Sequence, residues 1–149
     1  MKRSARLSVA LHALVHLVDR PDAVTSTVLS QCLMTNPVVV RRVMGELRQA
    51  GIVASAKGHD GGWRLTKPPA EVSLHDVSTA LGETLLVRTK SDPGDTKCQI
   101  VRTVDALMST VIADAEALLA ERLKAISLAD LLAQRGPHLS HAHGVLAHG

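Results

Sequence analysis

Residues 36–65, NPVVVRRVMGELRQAGIVASAKGHDGGWRL, constrain the chain most, because they set a two-faced helix directly before a glycine-rich hairpin. Asn36 offers a side-chain acceptor to exposed helix N–H groups, and Pro37 stands at the first helical position, where a missing N–H costs nothing. Val40, Val43, Met44 and Leu47 recur at helical spacing as a core-facing stripe, leaving Val38, Val39, Arg41, Arg42 and Arg48 to face outward. Gly51 marks the stop. Residues 52–55 and 63–66 are strand candidates around Lys57-Gly58-His59-Asp60-Gly61-Gly62, and glycine at three of those six positions permits a tight hairpin.

Upstream, Leu7, Ala10, Leu11, Leu14, Val15, Leu17 and Val18 predict an amphipathic helix over about 4–18, ended by Asp19, Arg20, Pro21 and Asp22. Thr25 or Ser26 can cap a short second helix through Val28, Leu29, Cys32 and Leu33. A short helix, a turn, and a longer helix with an exposed basic N-terminal half form a helix-turn-helix, whose second helix is shaped to enter a DNA major groove.

The charge distribution agrees. Residues 1–70 hold 10 Lys or Arg against 4 Asp or Glu, whereas residues 71–149 hold 7 against 10. A basic half suited to a polyanion is thus joined to a mildly acidic half with another task. The chain has no Phe or Tyr and one Trp, which argues against single-strand binders that stack bases on aromatic platforms. Double-stranded DNA read by a helix needs no such platform. Two cysteines exclude a disulfide-dense scaffold, and no apolar run approaches the length of a membrane span, so a cytoplasmic protein is expected. No nucleophile-base-orienter set, no glycine-rich phosphate loop after a strand and no metal-ligand motif is present; an enzyme is not expected.

After Lys67-Pro68-Pro69, Leu74, Val77, Ala80 and Leu81 suggest a small helix capped by Ser73. The polar stretch TKSDPGDT reads as a loop, and a long helical pattern follows over about 97–124. Its seam comprises Ile100, Val104, Leu107, Val111 and Leu118, widened by Met108, Ile112, Leu119 and Leu123. Such a helix spans roughly 40 Å, more than a small head can cover, so a second copy of the chain is the expected partner for its apolar face. Ser127 can cap a closing helix over 128–132, expected to lie beside the long one. The tail HLSHAHGVLAHG reads as flexible.

Taken together, SARLSVALHALVHL, the NPVVVRRVMGELRQAGIVAS block, the wing KGHDGGWRLTKPP, VSLHDVSTALG, a cysteine before the long helix and SLADLL at its far end resemble the winged-helix transcriptional regulators typified by the iron-sulfur cluster regulator IscR. The resemblance covers most of the chain. It implies a mainly α fold with a small β-hairpin wing, organised as a winged helix-turn-helix domain (1–85), a loop (86–97), a dimerisation helix and closing helix against which the first helix also packs (98–135), and a His-containing tail (136–149). It further implies a homodimer, acting as a repressor on an inverted-repeat operator, with a thiol or small-molecule signal. Several members bind a cluster through three cysteines before the dimerisation helix. Here residues 86–98 offer only Cys98, Val101 stands where a relative supplies histidine, and Ser8 where others recruit glutamate, so the chain resembles a cluster-free branch with no cofactor and no metal.

The expected DNA contacts are Asn36, Pro37, Val38, Val39, Arg41 and Arg42 on the recognition helix, and Lys57, His59 and Arg64 on the wing, with Lys57 at the position where the family places an arginine in the minor groove. Lys2, Arg3 and Arg6 are expected to add phosphate contacts, and Trp63 to pack the hairpin on the core. The sensing candidates are Cys98, near a helix N-terminus; Cys32, otherwise expected in the core; and His12, which shares a helix face with His16 and lines an expected effector pocket. The alternative is a winged helix that serves only as a protein-interaction module.

Overall fold

The computed structural model describes residues 5–58, 61–83 and 97–135. Helix α1 (Ala5–Val18) buries Ala10, Ala13, Leu14 and Leu17, spaced to share one face. Helix α2 (Ser26–Leu33) is capped by Thr25, whose hydroxyl accepts from the Val28 N–H at 3.2 Å. Helix α3 (Pro37–Gln49) starts on Asn36, whose side-chain oxygen accepts from Val38 N–H at 2.8 Å, with Pro37 in the first turn. It buries Val40, Val43, Met44 and Leu47, and the chain turns away at Gly51, at φ 77°. The stripe read from the sequence is therefore the face that packs against α1 and α2, which turns Arg41 and Arg42 outward.

Strands β1 (Val53–Ala56) and β2 (Gly62–Leu65) pair antiparallel, with Val53 opposite Leu65 and Ala56 opposite Gly62. A further pairing carries no signal in the sequence. Val24, on the segment before α2, bridges to Trp63, with Val24 N–H donating to Trp63 O at 3.0 Å and Trp63 N–H to Val24 O at 2.8 Å. The Trp63 indole N–H donates to Ser26 Oγ at 2.8 Å while its ring packs against the core. The wing is thus tied to the start of α2 as well as to its own hairpin.

A 3-10 turn (Pro69–Glu71) leads to α4 (Leu74–Ala80), which opens with a capping box between Ser73 and Asp76. The long helix α5 (Gln99–Lys124) has 26 residues and none of them is buried. Ile112, Leu119 and Leu123 are half-buried along one side, while Ile100, Val104, Leu107, Val111 and Leu118 are exposed on the adjoining strip. The closing helix α6 (Leu128–Gln134) departs from the sequence expectation: it is seated in the head against the 3-10 turn and α1, not simply alongside α5. Leu128 is fully buried in the head's core, and a short backbone ladder explains why: Leu128 N–H donates to Val72 O at 2.7 Å and Leu74 N–H to Ile126 O at 2.9 Å. At its far end Arg135 holds Asp19 through two hydrogen bonds, at 2.6 and 3.1 Å.

Gly62 marks the tightest approach in the wing. Its φ is 143°, and a Cβ there would lie 2.7 Å from the Val24 backbone. Gly62→Ala should cost about 2 kcal/mol through strain and displacement of the Val24 pairing. By contrast, a Cβ on Gly45, inside α3, meets nothing within 4 Å, so Gly45→Ala should stabilise by about 0.5–1 kcal/mol. Urea unfolding of the two variants beside the parent checks both signs.

Candidate nucleic-acid interface

The outward side of α3 carries its own chemistry from end to end. Asn36 is committed to capping through its side-chain oxygen. The first helical turn then presents Val38 and Val39, 55% and 40% exposed, and the next presents Arg41 and Arg42, both exposed. Neither arginine has an ion-pair partner among the described residues. Pro37 is half-buried under the same turn. The N–H groups of a helix start and two guanidinium groups one turn on form a surface that favours phosphate and base-edge acceptors.

The wing continues this surface. Lys57, after the last residue of β1, is exposed; Arg64, opposite Ala54 in the sheet, points outward. Arg48 joins the two elements, donating from Nη1 to Ser55 Oγ at 3.2 Å, so the outer side of α3 and that of β1 adjoin. Gly61 N–H closes the loop onto Gly58 O at 2.9 Å. His59, Lys2 and Arg3 lie outside the described residues.

Arg6, expected to contact phosphate, pairs its guanidinium with Glu46 of α3 and with Glu83 beyond α4 at 3.7 Å, and donates to Leu81 O at 3.4 Å, while remaining partly exposed. These contacts tie α1, α3 and the end of α4 together. Cys32 is a correction: the short α2 places its thiol on the exposed side rather than in the core. Cys98 is exposed too, at the N-cap position of α5.

Sequence reasoning missed Met34. It caps the C-terminus of α2 in the turn before α3, in the left-handed conformation, and is 94% exposed. The only sequence clue was a large apolar residue between two helix signals, which reads equally well as core.

His12 is exposed on α1, and His16 beside it is half-buried. No group of three His, Cys, Asp or Glu converges as a metal site among the described residues. Open surface grooves along the N-terminal part of α5 and beside Arg20–Val28 are lined by neither His12 nor the two cysteines. The expected effector pocket at His12 is in neither of them.

A head of this fold, with an outward helix and wing of this charge, defines a winged-helix transcriptional regulator. The chain belongs to the Rrf2 family: the family model, described as an iron-dependent transcriptional regulator, matches residues 3–134. Among its relatives, a Bacillus subtilis (strain 168) protein provisionally named HTH-type transcriptional regulator YwnA is 28% identical over 129 residues, covering 87% of this chain and 96% of the other. A crystal structure provisionally described as that of a DNA-binding protein is 27% identical, with a TM-score of 0.70, and covers 86% of this chain and 99% of that one. IscR from T. potens shares the fold, with a TM-score of 0.67 at 21% identity over 89% of this chain and 87% of the other. The family model and the YwnA relative are described as transcriptional regulators, and among the described residues no helix is long and apolar enough to cross a membrane.

Iron in the family description raises a question of fit. A resident iron group needs several thiolate, imidazole or carboxylate donors converging on it. This chain has two cysteines, on α2 and at the start of α5, and its described donors do not converge in threes. The described residues do not fit such a group.

Burial, reinforced by the nearby Arg20, holds the His16 imidazole below its ordinary value of 6.5. The unfolded chain therefore takes up a proton first as pH falls, and stability present above pH 6.5 is lost as pH drops toward the folded value. Replacing His16 with Leu should flatten the pH dependence of unfolding free energy between pH 7 and 5, measured by urea titration at each pH.

Proposed function

We propose that this regulator is a homodimer that binds an inverted-repeat DNA operator and acts as a repressor. The reading is carried by the exposure of Arg41 and Arg42 on α3 and of Lys57 after β1, two elements tied to each other by the Arg48–Ser55 hydrogen bond. Val38 and Val39 enter the groove beside base edges, while Arg41, Arg42, Lys57 and Arg64 meet phosphate or guanine. Asn36 and Pro37 set the position of that helix start. Lys2, Arg3, Arg6 and His59 are assigned flanking phosphate contacts.

Dimerisation is supported by the bare strip Ile100, Val104, Leu107, Val111 and Leu118 on a helix with no buried residue. A surface of that kind is costly to leave in water, and a two-fold pairing of identical strips covers both at once. The pairing holds two α3 helices at a fixed separation, which matches half-sites one helical turn or a multiple apart. Repression follows from a dimer occupying promoter DNA. The signal is assigned first to the Cys98 thiol, because it stands at the start of the helix that spaces the heads, or to a small-molecule effector; Cys32 and His12 are secondary sensing candidates.

Two measurements test this. Across a salt series, binding of promoter fragments should weaken steeply, and Lys57→Ala should reduce the slope by about 1 for each phosphate it leaves without a cation, hence about 2 in a dimer. Salt-insensitive binding, or none, would favour a protein-interaction module instead. In sedimentation velocity the parent should run as a dimer and Leu107→Glu with Val111→Glu as a folded monomer of reduced operator affinity; a monomeric parent removes the dimer from the reading.

A further inference from the structure

Met34 carries two penalties that the fold does not repay. It is the one non-glycine residue with positive φ among those described, at φ 51° and ψ 45°. Left-handed backbone is the conformation that glycine adopts without steric cost and a side chain does not. The position is a helix stop: Met34 N–H donates to Gln31 O at 3.3 Å and Thr35 N–H to Ser30 O at 3.0 Å, the paired closure at which glycine is most at home. Its side chain is also 94% exposed, more than any other large apolar side chain described. Strained backbone and an uncovered thioether together point to something outside the chain.

Its place narrows what that is. Met34 stands two residues before the Asn36 cap, in the turn that delivers the chain into α3. The next exposed apolar side chains are Val38 and Val39 in the first turn, and the next charged ones are Arg41 and Arg42. Exposed apolar side chains followed along the chain by guanidinium groups suit a surface that is anionic at its edges and apolar at defined points within. The major groove has that character, since thymine's 5-methyl is the one apolar group its base edges display between two phosphate backbones. An unbranched, polarisable side chain is suited to following such a group.

We propose that Met34 is a specificity-determining residue that, with Val38, contacts thymine 5-methyl groups in each operator half-site. The assignment rests on the DNA-binding reading above and adds to it which bases are read and by what. It makes the turn, as well as α3, part of the reading surface.

Duplexes bound by the full chain are first selected from random-sequence DNA. Each thymine of the selected site is then replaced singly by deoxyuridine, which removes the methyl and leaves every hydrogen-bonding group in place. At two neighbouring thymines per half-site the parent should lose about fourfold in affinity per methyl removed, the value of one buried methylene-sized group. Met34→Gly relieves the backbone and should melt no lower than the parent. It should bind the thymine duplex more weakly and become indifferent to deoxyuridine at one of those positions, and Val38→Ala should do so at a neighbouring one. A parent indifferent to deoxyuridine throughout, or a Met34→Gly variant that keeps the full pattern of sensitivity, overturns the assignment while leaving operator binding intact. Failure to select any sequence overturns the DNA reading itself, and this proposal with it.

Discussion

Everything outward on the head depends on how α3 is gripped from within. Val40, Val43, Met44 and Leu47 lie fully in the core with Leu14 of α1 and Leu29 of α2, and that burial fixes the rotation of α3 about its own axis. Removal of these side chains from water is worth about 1.5–3 kcal/mol for each large one. A rotation of about 100°, one residue's worth, would expose this stripe and bury Arg41 or Arg42, so the register is strongly held. Arg6 adds a polar brace to the same helix through Glu46, on a partly exposed pair whose own contribution is small.

The second half of the chain is built around a return to the head. Helix α5 leaves no residue buried, yet the segment after it comes back so that Ser127 bridges Ser73 and Leu128 enters the core. Capping boxes at Ser73 and Ser127 start α4 and α6 directly from the two sides of that bridge. The C-terminal end of α5 is therefore anchored through two neighbouring backbone connections, and its bare strip is presented from a base that belongs to the head.

Local signals were legible in the sequence, and pairings between distant segments were not. Asn36-Pro37, Thr25, Ser73 and Ser127 each announced a helix start because a cap is chemistry among residues close together in the chain. The α3 stripe was legible because 13 residues sample its period more than three times. Helix α2 has only 8 residues, too few for periodicity to assign its faces, which is why Cys32 was expected inside and lies outside. The pairing of Val24 with Trp63, the burial of Leu128 and the Arg6–Glu46 pair join residues far apart in the chain, and none of them has a partner until the fold supplies one. The candidate surface was legible as residue types at α3 and the wing, whereas Met34 needed its backbone angle and exposure before it stood out.

The tie between Val24 and Trp63 bears on the timing of recognition. Because the wing's base is already hydrogen-bonded to the segment before α2, and Gly62 lets the two backbones meet, its conformational entropy is surrendered during folding and not at encounter. In the proposed complex with DNA, a hairpin base fixed in advance leaves less ordering to be done at encounter. Among related complexes generally, differences in affinity lie mainly in how long each survives.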